Sequence, residues 1–356
     1  PLGPKLCTCF ILPYLDAIPA ANIKSVGCII ILFLLHEIIK NNQRIRIGFM
    51  ANEKDIIDID LATMDELHLP EFAKKKLSVD VLRLDKIHPI ISGNKWFKLK
   101  YYLEDAVQQK KSIITFGGAY SNHIIATALA AKQLNLPSVG IIRGEESKQL
   151  SQTLFLAKKY GMELVFISRN EYLKKNNDDF ILGLKTTYIN SIIIPEGGAG
   201  KQGIQGSEEI MKLIKTNNYT HILCAIGTAT TFLGLANTSD STQKIIGVCV
   251  LKGMENLLDE NKEFLNSPEK INNYIISYDY HFGGYAKKNN ELFDFMNLLH
   301  KNTKMKTDFV YTGKLFYAAF DLIKKDFFPR ESKLLIIHSG GLQGNDSLPA
   351  GTLNFN

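Results

Sequence analysis

The chain has 356 residues, 45% of them hydrophobic, enough to bury one large core or two that share a cleft. Its 42 Lys+Arg against 36 Asp+Glu leave a formal charge of +6, but the basic residues are interleaved with acids, as at Glu208, Glu209, Lys212 and Lys215; this reads as solvated helix faces and argues against a nucleic-acid partner. The five cysteines, Cys7, Cys9, Cys28, Cys224 and Cys249, show no C-x-x-C spacing and no accompanying histidine set, which argues against a disulfide framework or a metal site and suggests a reducing, cytoplasmic setting.

In chain order, residues 1–49 come first and read as an extension of unknown role. Val26 to Leu35 is nearly unbroken apolar sequence, too short to cross a bilayer, and the basic flank from Lys40 to Arg46 lies on the wrong side for a signal peptide. No membrane partner is expected, and Met50 is taken to open the folded part. From about Val81, β-branched runs alternate with helical patterns. Strands are predicted at Ile113 to Phe116, Val139 to Ile142, Leu164 to Ile167, Ile192 to Ile194, Ile222 to Ala225, Ile245 to Val250 and Leu334 to Ile337. Helices are predicted at Phe97 to Gln108, Asn122 to Leu134, Leu150 to Tyr160, Ile204 to Lys215 and Gly313 to Lys325. Strict alternation predicts an α/β protein with parallel sheets and right-handed crossovers, whose ligands sit where strands end and helices begin.

Several of those junctions carry glycine with small hydroxyl residues. Gly227-Thr228-Ala229-Thr230-Thr231 follows an apolar run and enters a helix, so its free N–H groups and threonine hydroxyls suit a phosphate; the same pattern also describes an ordinary capped turn. There is no Gly-x-x-x-x-Gly-Lys-Ser/Thr for a nucleoside triphosphatase and no Gly-x-Gly-x-x-Gly for a Rossmann dehydrogenase. Lys95, in Ser92-Gly-Asn-Lys-Trp-Phe-Lys-Leu99, stands at a predicted helix start, where a cation opposes the dipole. A lysine that forms a Schiff base with an anionic cofactor would explain it; a solvent-exposed lysine is the commoner alternative.

Taken together, Arg83-Leu-Asp85, Gly93-Asn-Lys95-x-x-Lys98-Leu99, Gly117-Gly118-x-x-Ser121-Asn122-His123, Pro195-Glu-Gly-Gly198, Gly227-Thr228, Asp308-x-Val-Tyr311-Thr-Gly-Lys314 and His338-x-Gly-Gly341 run in an order that resembles the 1-aminocyclopropane-1-carboxylate deaminase and D-cysteine desulfhydrase family. The resemblance covers roughly Val81 to Asn345 and implies a fold-type II pyridoxal 5′-phosphate (PLP) enzyme, similar to the tryptophan synthase β subunit. Such an enzyme has two open, twisted, mostly parallel sheets flanked by helices, with the active site between domains. The implied division is 50–97 with 202–356 as the large domain and 98–201 as the small one, in a homodimer.

Carried over position by position, the resemblance makes Lys95 the Schiff-base lysine and proton shuttle. Asn122 would hold the ring 3′-oxygen, and Ser121, Asn122 and His123 would meet the substrate carboxylate. Gly227, Thr228, Ala229, Thr230 and Thr231 would take the phosphate with help from Lys98, and Tyr285 and Tyr311 fall where the family keeps two active-site tyrosines. Trp96-Phe97 departs from the family, which commonly has an arginine before the second lysine.

Two positions divide the family. Cyclopropane deaminases resemble one another in having glutamate after the motif tyrosine and leucine after the late histidine, where this chain has Thr312 and Ser339. A carboxylate against the pyridine nitrogen keeps it protonated and the ring a strong electron sink, whereas a hydroxyl partner leaves the nitrogen neutral and the sink weaker. Loss of a good leaving group tolerates the weaker sink. The expected reaction is therefore conversion of D-cysteine to pyruvate, hydrogen sulfide and ammonia, with β-chloro-D-alanine or D-serine as related substrates. The alternatives are deamination of the cyclopropane amino acid to 2-oxobutanoate, a PLP-binding protein without useful catalysis, and a nucleotide-binding α/β protein that merely shares the glycine-rich turns.

Overall fold

The computed structural model describes residues 56–214 and 218–355. The expectations for residues 1–49, for Met50 and for Lys215 as a helix end lie outside the described residues. Ten strands are described: β1 (Thr63–Glu66), β2 (Ser78–Arg83), β3 (Ser112–Gly117), β4 (Ser138–Arg143), β5 (Met162–Ile167), β6 (Ser191–Ile194), β7 (His221–Ile226), β8 (Lys244–Cys249), β9 (Tyr274–Ser277) and β10 (Lys333–His338). They form a six-stranded sheet of order β1-β2-β10-β7-β8-β9 and a four-stranded sheet of order β5-β4-β3-β6. Every pairing is parallel except that of β1 with β2.

Parallel strands are covered on both faces, so they read as continuous rather than alternating apolar runs. β7, His-Ile-Leu-Cys-Ala-Ile, is buried along its whole length, with Leu223 in register with Ile336 of β10. The helices that matter below are α1 (Asn94–Gln109), α2 (Asn122–Gln133), α3 (Gln152–Lys159), α4 (Asp178–Thr187), α5 (Lys201–Glu208), α6 (Thr230–Thr238), α7 (Asn290–Thr303) and α8 (Thr312–Lys324). The helix predicted from Ile204 stops at Glu208, and a 3₁₀ segment, Glu209–Leu213, follows it. β1, β2, β9, α4 and α7 were not predicted. No described helix is long and apolar enough to cross a membrane, and Cys224 and Cys249 are buried free thiols.

Helices α1, α5 and α6 pack together at backbone distance. A Cβ on Gly206 would lie 1.7 Å from the Phe97 carbonyl oxygen, one on Gly203 would lie 1.8 Å from that of Gly198, and one on Gly234 would lie 2.5 Å from the Ser207 Cβ. Only glycine permits that approach. A second anchor joins β2 to β10. The Arg83 guanidinium donates two bonds to Asp85, at 2.7 and 2.6 Å, and another to Asp65 at 2.7 Å, while His338 lies 3.3 Å from Asp85. Burial alone would raise the Asp85 carboxyl, but the Arg83 fork and the His338 ring more than offset it and hold it below the usual carboxylate range. Arg83, Asp85 and His338 are thus motif residues that fasten the sheet beneath the site.

Candidate active site

The strand-to-helix junctions of both sheets surround a cavity of about 450 Å³. Lys95 reaches it from the start of α1. Gly93, in the left-handed region at φ +68°, caps that helix, and a Cβ there would sit 1.8 Å from the Ser339 carbonyl oxygen, so α1 begins pressed against the loop after β10. The half-buried Lys95 amine donates to Asn94 Oδ1 at 2.8 Å and lies 5.6 Å from the centre of the Tyr311 ring. Burial pushes its pKa down to about 8 against the opposing pull of Asp308. Lys98, one turn further on, is driven well below the ordinary lysine value by burial and by the charge of Lys95. A buried amine held down by a second amine in the same cavity makes an anion welcome.

The shift has a thermodynamic consequence. A lysine whose folded pKa lies near 8 and whose ordinary value is 10.5 holds fewer protons folded than unfolded between those limits. Its destabilising contribution is therefore complete below pH 8 and relieved as pH rises toward 10.5. Cofactor-free Lys95→Met protein is expected to melt above the wild type at pH 7, with the gap closing over that window. Thermal unfolding at a series of pH values checks this, and a gap that ignores pH would contradict it.

The β7–α6 turn lines the same cavity and is the candidate anion cradle. Ala229, the residue before α6, adopts φ +58°, a backbone usually left to glycine. Thr228 and Thr230 share a hydroxyl contact at 2.9 Å, Lys98 donates to Thr228 Oγ1 at 3.2 Å, and Asn94 Nδ2 donates to Thr231 Oγ1 at 2.7 Å. Thr231 stands at the start of the nine-residue α6, where a helix leaves N–H groups for a ligand, while the Thr230 N–H donates to the Thr228 carbonyl at 2.7 Å. At Gly227 a Cβ would come within 3.2 Å of the Tyr311 ring, a tight contact that the ring would have to relieve by a few tenths of an ångström. Uncharged donors, one nearby ammonium and a helix start are the donor set a phosphate ester requires. Asn94 ties this cradle to the Lys95 amine with its two amide atoms, a role its place beside the lysine hinted at but did not reveal.

On the facing turn, Ser121 caps α2 by accepting from the Ile124 N–H at 3.4 Å, and it also lines the cavity. Asn122 Nδ2 donates to the Gly341 carbonyl at 3.4 Å, while Asn122 Oδ1 is buried without a partner. An orphaned polar atom on the wall of a cavity fits a ring-bearing ligand that completes its bonding. His123 is 2% exposed, with Nε2 at 2.7 Å from Thr115 Oγ1. Thr115 donates its own proton to the Ile194 carbonyl at 3.0 Å, which assigns the histidine proton to Nε2. Burial and the charges of Lys95 and Lys98 push the His123 pKa down to about 3, so it stays neutral.

Tyr285 and Tyr311 meet edge to face with ring centres 6.2 Å apart, and both line the cavity. Burial raises the pKa of each, and the nearby partner hydroxyl raises Tyr311 further. Ser339 is on the wall, as expected. Thr312 is not: its hydroxyl donates to Asp308 Oδ1 at 2.6 Å and accepts from the Asp308 N–H at 2.7 Å. Successive residues at a helix start point about 100° apart, so Tyr311 faces the cavity while Thr312 turns into the core. Among the charged lining residues, Arg143 at the end of β4 and Glu196 just after β6 had no role in the sequence reading. Glu196 lies 3.5 Å from Lys175, and Arg143 sits over the Tyr172 ring at 5.7 Å.

The family profile for pyridoxal-phosphate dependent enzymes matches residues 66–340. A Pyrococcus abyssi protein provisionally named 1-aminocyclopropane-1-carboxylate deaminase is 34% identical over 298 residues, covering 78% of this chain and 88% of the relative. A mitochondrial Arabidopsis thaliana protein named bifunctional D-cysteine desulfhydrase/1-aminocyclopropane-1-carboxylate deaminase is 29% identical over 283 residues, covering 71% of this chain and 70% of the relative. Among solved structures, one described as an ACC deaminase homologue superposes with a TM-score of 0.68 at 27% identity, covering 83% of this chain and 95% of that one.

Proposed function

This chain belongs to the family of pyridoxal-phosphate dependent enzymes, and on that premise we propose that it converts D-cysteine and water to pyruvate, hydrogen sulfide and ammonia. When bound, the cofactor supplies an electron sink for the carbon that loses its proton. Lys95 is the amine placed to hold the cofactor's aldehyde and afterwards to take the substrate's α-proton, because its pKa near 8 leaves a sizeable unprotonated fraction at neutral pH. Thr228, Thr230, Thr231 and Lys98 hold the phosphate, with Gly227 and Ala229 shaping the turn. Asn122 orients the ring, and Ser121 with the start of α2 takes the substrate carboxylate beside His123. Tyr285 and Tyr311 cover the site and keep their hydroxyl protons across the neutral range.

The observation that carries the choice of substrate is Ser339, a hydroxyl on the cavity wall at the position where cyclopropane deaminases carry leucine. The residue in the other dividing position, Thr312, is turned away, so no carboxylate comes from that turn: Asp308 accepts from the Val310, Tyr311 and Thr312 N–H groups and the Thr312 hydroxyl. A ring nitrogen without a carboxylate partner is a weak sink, which favours a substrate whose electrons leave with a thiol. The names of the Pyrococcus relatives favour the other reading, cyclopropane ring opening. Purified holoenzyme given D-cysteine, L-cysteine and the cyclopropane amino acid decides between them. Product release from D-cysteine is expected to exceed that from the cyclopropane substrate by at least about tenfold in kcat/KM, and the reverse order sinks the proposal. The proposal extends to a cytoplasmic homodimer with 98–201 as its small domain, supported by cysteine usage and by the family resemblance.

A further inference from the structure

We propose that Lys314 is a positioning residue that holds Tyr285 over the cavity. Lys314 is the third residue of α8, where an ammonium opposes the helix dipole, and it is fully buried. It makes no ion pair among the described residues. Asp308, whose charge it feels, has its oxygens filled by three backbone N–H groups and the Thr312 hydroxyl. The ammonium is satisfied by main-chain carbonyls instead, donating to His281 and Gly284 at 2.8 Å each.

Those two carbonyls bracket the turn that presents Tyr285. Its backbone is unusual: Phe282, Gly283, Gly284 and Ala286 have φ of +52°, +95°, +121° and +54°. Non-glycine residues in that region cost about 1–3 kcal/mol each, so such a turn persists only if something outside it fixes its shape. The Gly284 N–H closes on the His281 carbonyl at 3.0 Å, but that bond lies within the turn and cannot register it against the site. Lys314 can, because it stands three residues after Tyr311 on the helix entry that already aims Tyr311 at the cavity. One helix start then sets both tyrosines, Tyr311 directly and Tyr285 through a buried ammonium. Tyr285 is 42% exposed, and its ring meets the edge of Tyr311, so the turn and that one ring contact hold it there.

The inference rests on the proposed function only where turnover is the readout, so the experiment has two arms. In the first, amide hydrogen exchange is measured on wild type and Lys314→Met. Protection at Gly283, Gly284 and Tyr285 is expected to fall while that of β7 and β10 is unchanged; unchanged protection at the turn, or a uniform loss everywhere, overturns the idea. In the second, kcat/KM of holoenzyme with D-cysteine is measured for Lys314→Met, Tyr285→Phe and the double variant. Lys314→Met is expected to lose about 10- to 100-fold, the usual scale for a misplaced group, and the double variant to be no worse than the poorer single one. Losses that multiply overturn it. Should Lys314→Met fail to fold, Gly284→Ala strains the same turn through its φ of +121° with Lys314 intact, and without a clash, since a Cβ there meets nothing closer than 3.5 Å. It is expected to reproduce both patterns, and wild-type kinetics from it would count against the inference. A wild type that turns over no amino acid refutes the substrate assignment, while the exchange arm still decides Lys314.

Discussion

Replacing Lys95 with alanine is expected to lower turnover by about 10²–10⁴-fold from the lost proton transfer alone, whatever amino acid proves best. The neighbouring amine cannot stand in. Lys98 is committed to the cradle through Thr228 at 3.2 Å, and its depressed basicity is what a phosphate would restore on binding. Cofactor-saturated Lys95→Ala should still bind the phosphate through the threonines, and a small exogenous amine should recover part of the rate. Borohydride reduction followed by peptide mapping gives the complementary measurement, with the label expected at Lys95 in wild type and absent from the variant. Activity within tenfold of wild type would show that another group moves the proton.

Gly93→Ala is expected to destabilise the fold by on the order of 3 kcal/mol and to weaken cofactor retention with it. Two penalties coincide there. The residue sits at φ +68°, and the added carbon would overlap the Ser339 carbonyl, a backbone atom that cannot rotate away. Relief requires moving either the start of α1, which carries Asn94 and Lys95, or the loop that carries Ser339. Gly161→Ala is the control, since Gly161 has φ +92° but nothing within 4 Å of a Cβ, and it should cost only about 1 kcal/mol. Urea midpoints together with the cofactor's absorbance test the pair, and equal losses at both positions would mean that the contact with Ser339 is not what matters.

How far the site could be read from the residues depended on where its information is written. The cradle was legible because glycine and threonine at a strand exit are local signals, and the structure puts Thr230 and Thr231 at the start of α6. Lys95 was legible from a cation of the wrong sign at a helix start. Lys314 carries the same sign and was passed over, because its partners are carbonyls of a distant turn and carbonyls have no sequence signature. Arg143 and Glu196 come from β4 and the loop after β6, which flank β3 in the smaller sheet; alternation predicts a parallel sheet but not the strand order that brings those ends together. Thr312 failed for a geometric reason, the turn of a helix between adjacent residues. β1, Thr-Met-Asp-Glu, is a mostly exposed antiparallel edge and has no apolar run to betray it.

The glycine contacts among α1, α5 and α6 bear on how such an enzyme can change over time. Gly203, Gly206 and Gly234 lie where any side chain would strike a neighbour, so the frame that spaces the Lys95 amine from the anion cradle admits almost no mutational drift. Arg143 and Glu196 stand outside that frame, on strand ends of the smaller sheet. New substrate preferences are therefore free to arise at the rim of the pocket while its seat stays inherited intact.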